Sequence, residues 1–294
     1  MPTYDTILYE KQRKGVLITW NRPETLNAIS RQLEHELEQA LTEAERDPEV
    51  RAIVMTGMGR GFSSGYDIAA GRPETVWPYG VPEGQSVAEV LDHWRTRSRS
   101  ETAKLLQIWE LSKPVIAAVH GWCVGGGSWY ALACHMTYAA EDAVFAQPEV
   151  RMISNTNFFW TLNAGYKHAL RYGLTGDHID AHEAARIGLV NDIVPKDELI
   201  DYCFRIVERI AMISPETIKI NLQVTTMGLN MMGLRNALAL NDELSAHVQS
   251  SQREDFRRHL TDAQKQGGMR AFLQRRDGPF QPEPFGPRSK PRGD

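Results

Sequence analysis

Two glycine-containing segments carry residue types that could bind an oxygen anion through the backbone. Gly125-Gly126-Gly127 follows the apolar run 115–119, and the apolar run 128–133 comes directly after it. A strand, a glycine turn and a helix N-terminus together present backbone N–H groups that an anion can accept. A second segment of this kind, 62–68, follows the apolar run 52–55. The two loops predict an oxyanion hole built from two backbone donors.

Glu149 is the candidate acid or base. It comes shortly after the strand-like run 144–146, beside Pro148 and among apolar residues. An apolar pocket would raise its pKa and suit the carboxyl group to general acid–base catalysis. The alternative is a solvated glutamate at a strand end, and the sequence leaves both interpretations open.

Other catalytic motifs are incomplete. Residues 61–65 (Gly-Phe-Ser-Ser-Gly) match a hydrolase nucleophile elbow, but residues 56–60 separate them from the preceding strand, whereas an elbow follows its strand directly. Gly57-Met58-Gly59 lacks the third glycine of a dinucleotide-binding loop. The histidines show no paired zinc-ligand spacing, so we expect no metal site and structural roles for His120 and His135.

Composition limits the class of protein. The chain has 294 residues, 42% of them hydrophobic, and a net charge of −4, which fits one large domain with or without a helical appendage. No basic field points to nucleic acid, and no long apolar run predicts a membrane span. Without a secretory signal pattern, we expect a cytoplasmic location. The three cysteines have no metal-ligand spacing and are expected to be buried free thiols.

Alternating strands and helices must position the two glycine-containing loops. Apolar and helical periodicities predict strands at 6–9, 16–20, 52–55, 115–119, 136–139, 144–146 and 189–194, and helices at 30–46, 87–111, 127–135 and over most of the chain after 180. This alternation indicates an α/β fold with crossover connections. Residues 71–85, with Trp77 and Tyr79, are predicted to form an ordered flap. The proline-rich stretch from Gly278 is expected to be irregular, and either mobile or packed on a neighbouring molecule.

Five segments in order resemble the crotonase (enoyl-CoA hydratase/isomerase) superfamily over roughly residues 3–275. They are Asn21-Arg22-Pro23 with Leu26-Asn27-Ala28, the loop 62–68, the run 114–127, the stretch 145–149, and Leu174-Thr175-Gly176 with the segment to Val190.

The resemblance implies an α/β fold: a crotonase-like ββα spiral core with a helical C-terminal region. Residues 1–195 would form the core with an acyl-CoA site, 196–275 a helical trimerisation region, and 276–294 a proline-rich tail. A homotrimer or a homohexamer built from two trimers is implied. The substrate would be an acyl-CoA, with coenzyme A as part of the substrate and no separate cofactor.

The resemblance also implies roles for site residues. The thioester oxygen would accept hydrogen bonds from the N–H groups of Tyr66 and Gly126, each stabilising an enolate by about 3–4 kcal/mol. Ser64 and Asp67 of the same loop would line the substrate site. Arg60 and Arg22 would supply positive charge near the coenzyme A phosphates. Alternatively, either arginine is an ordinary surface charge.

Two departures from the family pattern bear on the chemistry. Trp129 stands where hydratases of the family carry their first glutamate, and an indole cannot accept a proton from water. Residues 153–160 replace the family's Pro-Gly-x-Gly-Gly loop. Trp129 and the aromatic residues 158–160 are expected either to line an apolar acyl pocket or simply to pack in the core.

Hydratase or isomerase chemistry on a CoA thioester, with Glu149 as acid and base, is therefore the predicted function. An isomerase needs one carboxylate that moves a proton between carbons. The hydroxycinnamoyl-CoA hydratase-lyase branch also lacks the first glutamate and resembles this chain at Gly121-Trp122-Cys123. Hydrolysis of a thioester or C–C bond, and a non-catalytic protein that binds coenzyme A or RNA, stay open as alternatives.

Overall fold

The computed structural model describes residues 4–68, 81, 83–152, 158–251 and 254–286. Most of the predicted flap at 71–85, including Trp77 and Tyr79, lies outside these residues. So do residues 153–157 of the replaced loop and the tail after residue 286.

A six-stranded sheet brings the two glycine loops to one edge. Its strands are β1 (Ile7–Gln12), β2 (Gly15–Trp20), β3 (Ala52–Gly57), β4 (Val115–Val119), β6 (Met136–Ala140) and β9 (Asp192–Val194), in the spatial order β1-β2-β3-β4-β6-β9. Only β1 and β2 pair antiparallel; the other pairs are parallel. Since β3 and β4 run side by side in the same direction, the loops that follow them leave the same edge.

A smaller sheet joins the loops to the segment that carries Glu149. It consists of β5 (Trp122–Val124), β7 (Val144–Ala146) and β8 (Ile179–Asp180), with β5 parallel to β7. Isolated bridges pair the first glycine loop with the region of β5, at Gly61 with Gly121 and at Ser63 with Cys123. Strand β7 leads directly into the 3-10 helix Pro148–Arg151, which contains Glu149.

The helices are α1 (Arg31–Arg46), α2 (Val87–Glu110), α3 (Gly126–Ala133), α4 (Phe158–Thr175), α5 (Ala181–Arg186), α6 (Leu199–Ala211), α7 (Pro215–Met231), α8 (Leu234–Ser251) and α9 (Glu254–Asp277), with further 3-10 turns at Pro23–Thr25 and Gly278–Phe280. Helices α1 and α3 pack on one face of the large sheet, and α6 packs on the other. The mixed α/β architecture with a helical C-terminal region confirms the predicted fold class. Helix α4 was not predicted from the sequence.

The predicted amphipathic helix near the N-terminus forms α1. Its apolar stripe, Leu33, Leu37, Leu41 and Ala44, is buried at helical spacing. Ser30 precedes the helix as its N-cap, with its hydroxyl accepting a hydrogen bond from the backbone N–H of Leu33. The cap explains why the helix begins one residue later than predicted.

The described part of the C-terminal tail packs on its own chain. Phe285 forms a bridge with Ile179 of β8, and its carbonyl accepts a hydrogen bond from Asp180 at 2.9 Å. Glu283 is 2% exposed. The sequence analysis expected the tail to be mobile or to pack on a neighbouring molecule. Up to residue 286, the tail instead packs on its own chain.

Two further expectations can be checked on the described residues. Cys123, Cys134 and Cys203 are buried free thiols, as predicted. None of the helices in the described ranges combines the length and apolar character that a membrane span requires.

Candidate active site

The two glycine loops touch through their backbones. A Cβ at Gly65 would lie 2.9 Å from the carbonyl oxygen of Val124 and 3.3 Å from the amide nitrogen of Gly126. Gly65 also has a φ of +90°, in the left-handed region that favours glycine. Both its conformation and its contacts therefore require a residue without a side chain, and the two loops form one site.

The backbone N–H groups of Tyr66 and Gly126 make no hydrogen bond within the described part of the chain. The bridge between Ile29 and Tyr66 uses the Gly65 carbonyl and the Asp67 N–H, so the N–H of Tyr66 itself points to the other side. Gly126 is the first residue of α3, where a helix has no internal acceptor for the N–H. Two donors are thus open at the junction of the loops.

Glu149 reaches this junction from the small sheet. Its Oε1 lies 2.6 Å from the position that a Cβ at Gly125 would occupy, and Gly125 donates its N–H to Ala146 at 2.9 Å. The other carboxylate oxygen, Oε2, is buried and has no hydrogen-bond partner among the described residues. Burial raises the pKa of Glu149 from 4.5 to about 7, against the opposing charge of Arg276. Glu149 as a whole is half-buried, and the placement of its carboxylate favours a desolvated acid or base over a solvated strand-end residue.

Gly125 allows this approach of Glu149 for two reasons. Its φ of 57° and ψ of −133° suit glycine, and any side chain would collide with the Glu149 carboxylate. The triple glycine therefore opens the helix with an available N–H at Gly126 and leaves room for the carboxylate at Gly125.

Two aromatic rings flank the open donors. The Tyr66 ring lies over Gly126, with ring carbons 2.6 Å from where a Cβ would be. Its edge meets the Trp129 indole at a centroid distance of 6.0 Å. Trp129 is 3% exposed, and its Nε1 has no partner in the described ranges. An acyl group bound at the donors would meet these two rings.

Phe159 and Trp160 belong to the core instead of a pocket wall. Both are fully buried, Phe159 packs on Trp109 at 5.6 Å between ring centroids, and Trp160 donates from Nε1 to the Ser128 hydroxyl at 3.1 Å. Of the two alternatives that the sequence left open, core packing fits these residues, because they contact Trp109 of α2 and Ser128 of α3.

A buried carboxylate network behind Tyr66 escaped the sequence analysis. Glu34 accepts hydrogen bonds from the hydroxyls of Tyr130 at 3.0 Å and Tyr66 at 3.4 Å, and from Lys104 at 2.8 Å. These residues come from α1, α2, α3 and the first glycine loop. No local spacing marks them, since only the packed helices bring them together. The network fixes the ring that covers Gly126.

Of the other predicted substrate-binding residues, Arg22, Ser64 and Asp67 have partners within the protein, whereas Arg60 is exposed. Arg22 donates to the Ala28 carbonyl and pairs with Asp67 at 3.2 Å, with both side chains largely buried. The Ser64 hydroxyl donates to the Thr25 carbonyl at 3.1 Å. These contacts tie the loop before α1 to the first glycine loop, which favours a positioning role for the three side chains. Arg60 is exposed near the start of that loop.

The elbow serine and the histidines have structural partners. The hydroxyl of Ser63 is buried, donates to the Asn27 carbonyl at 2.8 Å, and accepts from the Gly65 N–H at 3.1 Å. His135 accepts from the Val115 N–H, and burial lowers its pKa to about 4. His120 contacts the Gly59 carbonyl at 3.1 Å. In the described ranges, no three potential ligand side chains are grouped to hold a metal.

The assembled site suits proton transfer next to a carbonyl group. A carbonyl oxygen bound by two N–H groups becomes a better electron sink, and its α-carbon would lie near the Glu149 carboxylate. A carboxyl group with a pKa near 7 can both accept and return a proton at neutral pH.

Known proteins resemble this chain in sequence and structure. A family model described as enoyl-CoA hydratase/isomerase matches residues 10–283. The short-chain-enoyl-CoA hydratase of Clostridium acetobutylicum is 30% identical over 277 residues, which are 92% of this chain and 96% of the relative.

Two solved structures resemble the fold. An enoyl-CoA hydratase/isomerase from Xanthobacter autotrophicus Py2 has a TM-score of 0.85 and 32% identity, covering 95% of this chain and 99% of the other. A monofunctional enoyl-CoA isomerase from M. smegmatis has a TM-score of 0.60 and 31% identity, covering 76% of this chain and 94% of the other.

Proposed function

Because the chain belongs to the enoyl-CoA hydratase/isomerase family, whose members act on CoA thioesters, we propose that it enolises an acyl-CoA with Glu149 as acid and base. The observation that carries this proposal is the position of the Glu149 carboxylate, which lies against Gly125, one residue from the open N–H of Gly126.

The thioester oxygen sits between the N–H groups of Tyr66 and Gly126. When a proton leaves the α-carbon, negative charge develops on this oxygen, and each preorganised donor stabilises it by about 3–4 kcal/mol. The open hydrogen-bonding capacity of both groups supports this role. Arg60 is proposed to attract the coenzyme A phosphates, and its exposure near the first loop supports this role.

Isomerisation of a 3-enoyl-CoA to a 2-enoyl-CoA is the reaction that the site supports best. Ionised Glu149 takes a proton from the α-carbon, and the electron pair forms the enolate. The electrons then shift the double bond as the protonated carboxyl group returns the proton to the γ-carbon. One carboxylate suffices for both steps, which matches a site in which Trp129 stands beside the Tyr66 ring.

Trp129 and its surroundings argue against hydration by two carboxylates. The indole Nε1 can donate but cannot accept a proton. Glu34 and Glu101, two carboxylates near Tyr66, are held by Lys104 at 2.8 Å and by Arg97 at 2.9 Å. A structural neighbour of this chain, from M. smegmatis, is a monofunctional enoyl-CoA isomerase, which supports this choice.

Hydration of a 2-enoyl-CoA is the second candidate. The Clostridium acetobutylicum relative is a short-chain-enoyl-CoA hydratase and aligns over 92% of this chain. Glu149 alone would then take a proton from water as the water oxygen bonds to the β-carbon, and would return that proton to the α-carbon as the double bond is lost.

The helical C-terminal region, 196–275, is proposed to form the trimer contacts of a homotrimer or homohexamer. It presents exposed apolar side chains that an assembly would cover: Ile220, Val224, Met227, Met231 and Met232. We propose a cytoplasmic location and fatty acid metabolism as the setting.

The experiment is incubation with 2-enoyl-, 3-enoyl- and cinnamoyl-CoA in deuterated water, with the native protein and with Glu149→Gln. Deuterium at the α- or γ-carbon without a hydrated product supports isomerisation, whereas a 3-hydroxyacyl product supports hydration. Full activity of Glu149→Gln on every substrate turned over would contradict the proposed mechanism.

A further inference from the structure

Arg151 lies on the same 3-10 turn as Glu149, and its side chain is only 1% exposed. Its guanidinium pairs with Glu283 at 2.9 Å, Asp277 at 3.2 Å and Asp177 at 3.3 Å. Its Nε donates to the Thr175 carbonyl at 2.9 Å. A buried guanidinium is tolerated only when its charge and its donors are matched in this way.

Much of that matching comes from the C-terminal segment 277–286. Besides Asp277 and Glu283, this segment places the Phe280 ring 4.0 Å from the guanidinium carbon of Arg151. The segment is itself anchored, because Glu283 accepts from both the backbone N–H and the Nδ1 of His178, at 2.7 and 2.8 Å.

Glu283 stays ionised over the working pH range. Burial by itself would raise its pKa, but the hydrogen bonds and charge of His178, together with a hydrogen bond from Arg151, hold that pKa down to about 2. The pair between Arg151 and Glu283 is therefore a contact between two charged groups at neutral pH, and it joins the tail to the turn.

The turn transmits the position of Arg151 to Glu149. It is short, and the Met152 N–H donates to the Glu149 carbonyl at 2.8 Å. Gly176 packs against its other side, where a Cβ would lie 3.1 Å from a Val150 methyl and 3.2 Å from the Pro148 Cα. A displaced Arg151 would therefore shift the turn and the carboxylate that the turn presents to Gly125.

We propose that Arg151 is a positioning residue for Glu149, and that the C-terminal segment 277–286 holds Arg151 in place. The tail thereby controls the location of the acid–base group. The inference rests on the proposed role of Glu149. It adds that the position of Glu149 depends on tail residues more than a hundred positions later in the chain.

The test compares Glu283→Gln and Arg151→Lys with Glu36→Gln, all in the full chain. Glu36 is a matched control, because it is also a buried carboxylate that accepts several hydrogen bonds, from Thr6, Asp5 and Gln32, far along the chain from the turn.

With the substrate that the native protein turns over fastest, we expect Glu283→Gln and Arg151→Lys each to lower kcat by roughly ten- to a hundredfold with KM nearly unchanged. The inflection of their pH–rate profiles should move from about 7 toward 4.5, since a carboxylate displaced from Gly125 loses part of the desolvation that raises its pKa. Glu36→Gln should change neither quantity. If Glu283→Gln folds and matches Glu36→Gln in both, the proposal is overturned.

A second measurement needs no activity and so separates this inference from the proposed function. The free energy of unfolding is measured at pH 5 and pH 8 with and without Glu149→Gln, in the native and the Glu283→Gln backgrounds. The pH-dependent effect of Glu149→Gln should shrink when Glu283 is changed; an equal effect in both backgrounds would contradict the inference. Phe280→Leu, which removes only the covering ring, serves in place of Glu283→Gln if that variant does not fold.

Discussion

Replacing the proposed acid–base residue should make the protein more stable at alkaline pH. Burial raises the pKa of Glu149 from 4.5 to about 7, because the ionised carboxylate has lost water without gaining a partner for Oε2 among the described residues. At 1.36 kcal/mol for each tenfold change in proton affinity, this rise corresponds to about 3 kcal/mol. Glu149→Gln keeps the size of the side chain and removes its ionisation.

The sign follows from the two states of the carboxyl group. Below pH 4.5 it is neutral in both the native and the unfolded protein, and it contributes no pH dependence. As the pH rises from 4.5 to about 7, the unfolded chain ionises first, so the native protein loses stability. The stability gap between Glu149→Gln and the native protein should therefore grow by about 2.5 kcal/mol from pH 5 to pH 8.

The assay is urea unfolding of both proteins at pH 5 and pH 8, at one protein concentration, because assembly would contribute to the apparent stability. Glu36→Gln provides the control of opposite sign. Hydrogen bonds from Thr6 outweigh the effect of burial and lower the pKa of Glu36, so its replacement should cost stability at neutral pH. A gap for Glu149→Gln that is equal at the two pH values would refute the reasoning.

Four further predictions concern activity. In the native protein, kcat/KM should rise with pH and level off above about 7, as Glu149 ionises, in a pH–rate profile. Gly125→Ala should cost about 1–3 kcal/mol of stability by urea unfolding and nearly all turnover, because its Cβ would meet the Glu149 carboxylate at 2.6 Å; a fully active variant would contradict the site geometry. Trp129→Glu should gain measurable crotonyl-CoA hydration by restoring a second carboxylate, and no gain would mean that more than this residue separates the site from a hydratase. Arg60→Ala should raise KM roughly twofold to fivefold at low salt with kcat unchanged, an effect that disappears at high ionic strength.

Local sequence patterns identified much of the fold. The spacing of Leu33, Leu37 and Leu41 predicted the buried face of α1, and the apolar runs at 52–55 and 115–119 predicted two strands, which pair in parallel in the large sheet. Glycines flanked by such runs were recognisable because both the turn and the helix start have local backbone requirements.

The residues that sequence reasoning missed act through long-range contacts. Glu34 is a helix residue beside an apolar stripe, and only the packing of α2 and α3 gives it Lys104 and Tyr130 as partners. Arg151 and Glu283 are separated by most of the C-terminal helices, so no spacing marks their ion pair. For two aromatic residues of α4, Phe159 and Trp160, the sequence left both roles open, because composition does not tell a pocket wall from a core face.

The central claim is that Glu149 moves the proton of an acyl-CoA whose thioester oxygen is held at Tyr66 and Gly126. The most direct test is the rate at which the α-hydrogen of a bound acyl-CoA exchanges with deuterated water, measured by mass spectrometry for the native protein and for Glu149→Gln. The account predicts exchange by the native protein and a rate at least about a hundredfold lower in the variant. Exchange at the native rate in Glu149→Gln would contradict it.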